Sequence, residues 1–215
     1  MDYSEIVILV MEIIGTVAFA SSGAMLAIKK HMDVFGVCVL GVLTAVGGGM
    51  TRDVILGNIP VALIKPVYVV ASVVTAVVVF IAYYMKKDLL QGPRHAVYDR
   101  ILLAMDSLGL GIFTAVGVNV GISAGYLDNT FLLAFLGTLT GVGGGLIRDV
   151  VAGVPPYIFV KHIYACASVV GAVCCVWVYR SLGQIPALVI SSALVVLIRS
   201  LAAHYRWNLP RIRME

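Results

Sequence analysis

Apolar residues run along this chain in seven long stretches with brief polar breaks between them, at about 6–28, 34–50, 66–85, 101–122, 130–147, 157–179 and 185–201. Most approach the roughly 20 residues that carry a helix across a bilayer. The second and fifth are shorter, and each ends on three consecutive glycines. The breaks are KKHMD, a longer polar segment over 86–100, GYLDN and SLGQ, none of which could hold a soluble domain. This pattern predicts an all-α integral membrane protein forming one transmembrane domain over 1–215.

The stretches are not independent. Residues 40–84 align without gaps to 136–180, with 22 identities in 45 positions, including GGGMTRDV against GGGLIRDV, Gly57 against Gly153 and Tyr68 against Tyr164. Upstream, MEIIGTVAF (11–19) matches MDSLGLGIF (105–113). The copies cover 5–85 and 99–180, and a seventh helix follows at 185–203. Each copy holds three spans, an odd number, so the second must enter the membrane from the opposite face. The result is two inverted three-helix repeats plus one helix. Transport proteins use such symmetry, with the pathway at the repeat interface and interrupted helices pointing to it.

Composition agrees: 61% of the 215 residues are hydrophobic and only 12% charged, with a mean hydropathy of +1.04. Soluble domains carry about 25% charged residues. That excludes an ordinary soluble enzyme, a disordered chain and a nucleic-acid-binding domain, and the net charge of +4 is not gathered into a basic patch. The leader MDYSE lacks the positive charge of a signal peptide, so the first helix is expected to be retained. Lysine and arginine are lopsided: Lys29, Lys30, Lys86, Lys87, Arg94, Arg100, Arg206, Arg211 and Arg213 fall on one side, against Arg180 on the other. By the positive-inside rule the amino terminus is outside and the carboxyl terminus cytoplasmic, in the cell membrane.

Candidate chemistry centres on the glycine segments, Gly47, Gly48, Gly49 and Gly143, Gly144, Gly145. Glycine costs a helix about 1 kcal/mol per residue against alanine and lets the backbone unwind, leaving carbonyls that must be satisfied by protein or water. Arg52-Asp53 and Arg148-Asp149 follow at once. A charge near the bilayer centre costs roughly 2.5–3.5 kcal/mol, so these should pair or face a water-filled cavity. Either each segment is a kinked helix lining an aqueous path, or each Arg-Asp pair caps a short half-helix. Neither segment has the GKS or GKT ending of a nucleotide-binding loop. Small residues spaced four apart, Gly41/Ala45/Gly49 and Gly137/Gly141/Gly145, also allow close helix packing.

Glu12 and Asp106 occupy matched positions and are expected either to bind a cation or proton, or to neutralise Arg52 or Arg148 of the other repeat. Thr44 and Thr140 could offer hydroxyls to an ion or to freed backbone. Lys65 and Lys161 either snorkel to opposite interfaces or act as electrostatic gates. Arg199 is expected to reach the cytoplasmic headgroups. The four histidines are scattered, and Cys38, Cys166, Cys174 and Cys175 read as small buried hydrophobes, so no metal, cofactor or catalytic arrangement is expected.

Two repeats bearing GGGxxRDV followed by Gly and Pro, with a seventh helix, resemble the prokaryotic trimeric intracellular cation (TRIC) channels, a family also labelled glycine-transporter-like. The resemblance covers about residues 5–203. It implies a homotrimer with one pore per protomer, lined by the kinked second and fifth spans and conducting potassium and sodium. It also implies that the glycines, Arg52, Asp53, Arg148 and Asp149 serve that pore. The lysine-containing lipid-binding motif of the animal relatives is absent. The expected function is a passive channel, not an enzyme. The alternatives are a secondary transporter of a small solute such as glycine, coupled through Glu12 or Asp106, and a membrane scaffold. Arg148→Ala is expected to alter conductance while leaving the protein folded.

Overall fold

A computed structural model describes residues 3–85, 95–160, 163–205 and 207. The first repeat contains α1 (Tyr3–Lys29), α2 (Val34–Ile55), α3 (Val61–Ile64) and α4 (Val67–Met85). The second contains α5 (His95–Ser123), α6 (Thr130–Val151), α7 (Tyr157–Val160) and α8 (Ala165–Leu182), and α9 (Gln184–His204) stands alone. Seven of these are long and apolar enough to cross a membrane.

Local signals repeat with the sequence. Asp33 caps α2 by accepting from the Gly36 N–H at 2.8 Å, and Asn129 caps α6 through Leu132 N–H at 3.0 Å; each satisfies a donor that the helix start leaves free. Gly57 and Gly153 take positive φ just after α2 and α6, which turns the chain back towards α3 and α7. A single residue, Gly183 at φ 85°, separates α8 from α9.

Two boundaries differ from expectation. Both α2 and α6 continue through the glycines and the Arg-Asp pairs to Ile55 and Val151, so the backbone there is helical and not unwound. The expected sixth span, 157–179, is instead the short α7 followed by α8 from Ala165. Its partner α3 precedes α4 in the same way. Proline and glycine stop α2 and α6 early enough for a separate turn to form.

The glycines keep the helix but bring two helices into backbone contact. A Cβ built on Gly48 would lie 2.2 Å from the Thr140 carbonyl oxygen, and one on Gly144 would lie 2.1 Å from that of Thr44. Here α2 and α6 cross, one from each repeat, through residues related by the internal symmetry. Small residues permit this approach where lipid offers no hydrophobic drive. Thr44 and Thr140 take part in a second pair of close crossings. Each donates to its own helix, to Leu40 O and Leu136 O at 2.6 Å, and each sits where a Cβ on Gly23 or Gly117 would fall. Their hydroxyl protons are thus committed to backbone, and freed carbonyls do not engage them.

Position in the bundle follows side-chain size. The apolar window of α5, rich in glycine and alanine, is 72% buried, whereas that of the valine-rich α4 is 17% buried. On α4, Val70, Val74, Val78 and Ile81 form an exposed stripe, the face a lipid-contacting helix presents. Cys166 departs from the expectation of buried cysteines: it is exposed on α8, while Cys175 is buried.

Candidate functional site

Repeat one holds an open charged pocket. Arg52 is folded back on its neighbour, its Nε donating to Asp53 Oδ1 at 2.8 Å. The other carboxylate oxygen of Asp53 accepts the Val61 N–H at 2.9 Å, the first amide of α3. Tyr68 on α4 donates its hydroxyl to Glu12 on α1. These groups surround a cavity of about 50 Å³, large enough to admit water. Gly49, Thr16, Val46 and Ala62 complete much of its wall. Lys65 is exposed and close enough to act electrostatically on Glu12.

The matching half in repeat two is more fully buried, with Asp106 at 0% exposure where Glu12 is half-buried. Arg148 repeats the pairing with its neighbour, Nε to Asp149 Oδ1 at 2.8 Å, and Asp149 Oδ2 accepts the Tyr157 N–H at 2.8 Å. In addition its Nη1 reaches Asp106 at 2.5 Å and the hydroxyl of Ser22 on α1, and its guanidinium lies 5.5 Å from the Tyr157 ring centroid. The residue at the place of Ser22 in the open half is Val116, which offers no acceptor. Thr16, Val61 and Ala62 are likewise replaced by the bulkier Leu110, Tyr157 and Ile158. Sequence differences between the copies thus account for much of the asymmetry.

Several expectations change. Glu12 and Asp106 do not neutralise the arginine of the other repeat: Asp106 pairs with Arg148 of its own copy, and Glu12 is bound by Tyr68 of its own. Asp53 and Asp149 each hold the first amide of a short helix, the arrangement of the capping reading, and in repeat one the Arg-Asp pair also lines a cavity. Arg199 does not reach the headgroups. It is fully buried, with Nη2 3.8 Å from Asp106 Oδ2 and its guanidinium 4.7 Å from the Tyr164 ring centroid. It is buried because its face of α9 packs against α5 and α8. Lys161 lies outside the described residues.

Tyr68 and Tyr164 stand beside the two charged clusters, where hydropathy alone could not place them; their identity in both copies is the available signal. They predict a contrast. Tyr68→Phe removes a hydrogen bond to a carboxylate and is expected to cost about 1.5–3 kcal/mol. Tyr164→Phe is expected to be close to neutral, because its buried hydroxyl has no hydrogen-bond partner among the described residues. Thermal unfolding of the two variants side by side in one detergent checks this, and equal losses would refute it.

Seven spans in inverted halves, with charges buried at matched positions beside a central helix crossing, define a membrane protein of the transport class. The family model described as "Glycine transporter" matches the chain twice, over residues 9–84 and 103–180. The chain is 36% identical over 209 residues to the inner membrane protein YadS of Escherichia coli K12, covering 95% of this chain and 96% of that one. A TRIC cation channel solved to explain conductance superposes with a TM-score of 0.81 at 34% identity, covering 96% of this chain and 97% of that one. The TRIC orthologue from Rhodobacter sphaeroides gives 0.82 at 29% identity, covering 94% and 99%. The chain belongs to the prokaryotic TRIC channel family, a family of channels and not of enzymes.

Proposed function

We propose that this protein is a passive channel for monovalent cations, potassium and sodium, working as a homotrimer in the cell inner membrane with a separate pathway in each protomer. The path runs beside α2 and α6. Glu12, Arg52 and Asp53 act at its open half, with Gly49 giving space and Lys65 at the rim, while Asp106, Arg148 and Asp149 act at its closed half. Lys161, the sequence counterpart of Lys65, is given the same electrostatic role. Gly47, Gly48, Gly143 and Gly144 serve the helix crossing about which the halves rearrange, and Thr44 and Thr140 hold the helices beside it. The amino terminus is outside and the carboxyl terminus cytoplasmic, as the lysine and arginine asymmetry favours.

The observation that carries this reading is the water-sized cavity against Glu12 and Asp53. Two carboxylates and one arginine leave a formal charge of −1 on its walls, which favours a cation in a space where dielectric screening is weak. Kinship with solved TRIC cation channels supports it. A second reading, a secondary transporter of a small zwitterion such as glycine, is favoured by one half being open while its symmetry mate is closed, and by the family model's description. Purified protein in planar bilayers and in liposomes decides between them. Discrete potassium currents without organic solute are expected; saturable, ion-coupled glycine uptake with no unitary currents would overturn the channel.

A further inference from the structure

The arginine on α9 breaks the internal symmetry. Counted at formal charges, Glu12, Arg52 and Asp53 sum to −1, and their counterparts Asp106, Arg148 and Asp149 sum to the same. Lys65 reaches the first cluster only from its exposed rim, whereas among the described residues the second cluster alone receives a further buried cation, Arg199, from the long helix that has no copy in the other repeat. It brings that cluster to zero.

The manner in which Arg199 is held is unusual for a buried arginine. None of its Nε, Nη1 and Nη2 atoms has a hydrogen-bond partner among the described residues, and neither does Asp106 Oδ2 nor the Tyr164 hydroxyl beside it. A structural arginine is normally fixed by its fork of donors. This one is held by charge at 3.8 Å and by the face of an aromatic ring at 4.7 Å, interactions that a small cation can also make. The corresponding place in repeat one, against Glu12 and Tyr68, borders the cavity.

We infer that Arg199 is a tethered cation occupying, in repeat two, the site that a permeant cation takes in repeat one, and that it thereby holds this half of the pathway shut. The inference rests on the cation-channel reading for the identity of the competing ion. Opening then requires Arg199 to withdraw and Asp106 to leave Arg148 for the free hydroxyl of Tyr164, the arrangement Glu12 and Tyr68 already have. Arg199 is a positioning residue in this scheme, acting through Asp106.

The test compares two matched reporters. Val46 lines the open cavity and Val142 stands at the matched place in repeat two; both are buried, at 7% and 5% exposure, so the cavity and not bulk exposure sets the difference in labelling. Each is changed to cysteine in full-length protein with the four native cysteines replaced, and labelling by a small water-soluble thiol reagent is timed in proteoliposomes. Val46→Cys is expected to label quickly whatever stands at 199. Val142→Cys is expected to label slowly with Arg199, at least tenfold faster with Arg199→Gln or the space-filling Arg199→Met, and slowly again with Arg199→Lys. Unchanged labelling in a folded Arg199→Gln protein, or equal acceleration by lysine, would overturn the inference; the latter would mean that packing and not charge closes the site. A measurement without any change at 199 guards against misfolding. Raising potassium chloride is expected to speed Val142→Cys labelling, whereas N-methylglucamine chloride is not; equal effects of the two salts would also overturn it. Currents recorded in parallel separate the two ideas: faster labelling without any wild-type current would reject the channel and leave the tethered cation standing.

Discussion

Placing one methyl group at the helix crossing, by Gly144→Ala, is expected to destabilise the protein by about 3 kcal/mol or more, at or beyond the upper end of ordinary overpacking. The obstacle is the Thr44 carbonyl oxygen, 2.1 Å from where the Cβ must go. No rotamer change relieves a clash with backbone, so α2 and α6 must move apart by about 1 Å. That motion is resisted by the neighbouring crossings, where Gly23 abuts Thr44 and Gly117 abuts Thr140. Gly48→Ala meets Thr140 O at 2.2 Å and should behave alike. Gly49→Ala should not. Its nearest neighbour would be Arg52 Nη2 at 3.7 Å, an ordinary contact, and the change gains helix propensity of up to about 1 kcal/mol. Melting temperature and monodispersity in detergent read all three. A Gly144→Ala protein as stable as wild type would disprove the backbone contact.

Arg148→Ala is expected to be nearly as damaging, at about 3–5 kcal/mol, the usual result of stripping one partner from a buried ion pair. Asp106 and Asp149 would both remain, 0% and 1% exposed, with Arg199 as the nearest described cation. The expectation from sequence that this variant stays folded is thus set against a large loss of stability. Arg52→Ala should cost about 1–3 kcal/mol, because the cavity admits water to Asp53, which also keeps the Val61 N–H. Adding Asp106→Asn to Arg148→Ala should recover part of the loss, since the charge left unpaired is the main penalty. Unfolding curves for the set, run in one detergent, check the ordering; equal losses at 52 and 148 would contradict the asymmetry of the two halves.

What could be read in the residues and what could not divide along physical lines. Spans, duplication and inversion were legible because hydropathy and identity are properties of sequence alone. The Arg-Asp motif was legible as paired charges, and its cap on α3 and α7 was one of the two readings open. Glycine, however, lowers the cost of unwinding and of close packing alike, so GGG could not reveal that α2 and α6 stay helical and touch. The inward direction of Arg199 is hidden for a related reason: five residues from the end of α9, it looks able to snorkel. Only the packing of α9 against α5 shows that its direction is inward. A residue on an unduplicated helix also has no internal partner to mark it. The binding of Glu12 by Tyr68 joins α1 to α4, a pairing for which spacing gives no rule.

The contact between Gly48 and Gly144 has one more consequence. Each glycine faces the carbonyl of the threonine four residues before the other, so the crossing sits on the internal two-fold axis and maps onto itself. Exchanging which half is open and which is closed would leave this junction chemically identical before and after. It therefore contributes nothing to the preference between the two arrangements and behaves as a neutral bearing. The preference must come from the places where the copies differ, at Ser22 against Val116, at Tyr157 and Ile158 against Val61 and Ala62, and at the solitary α9.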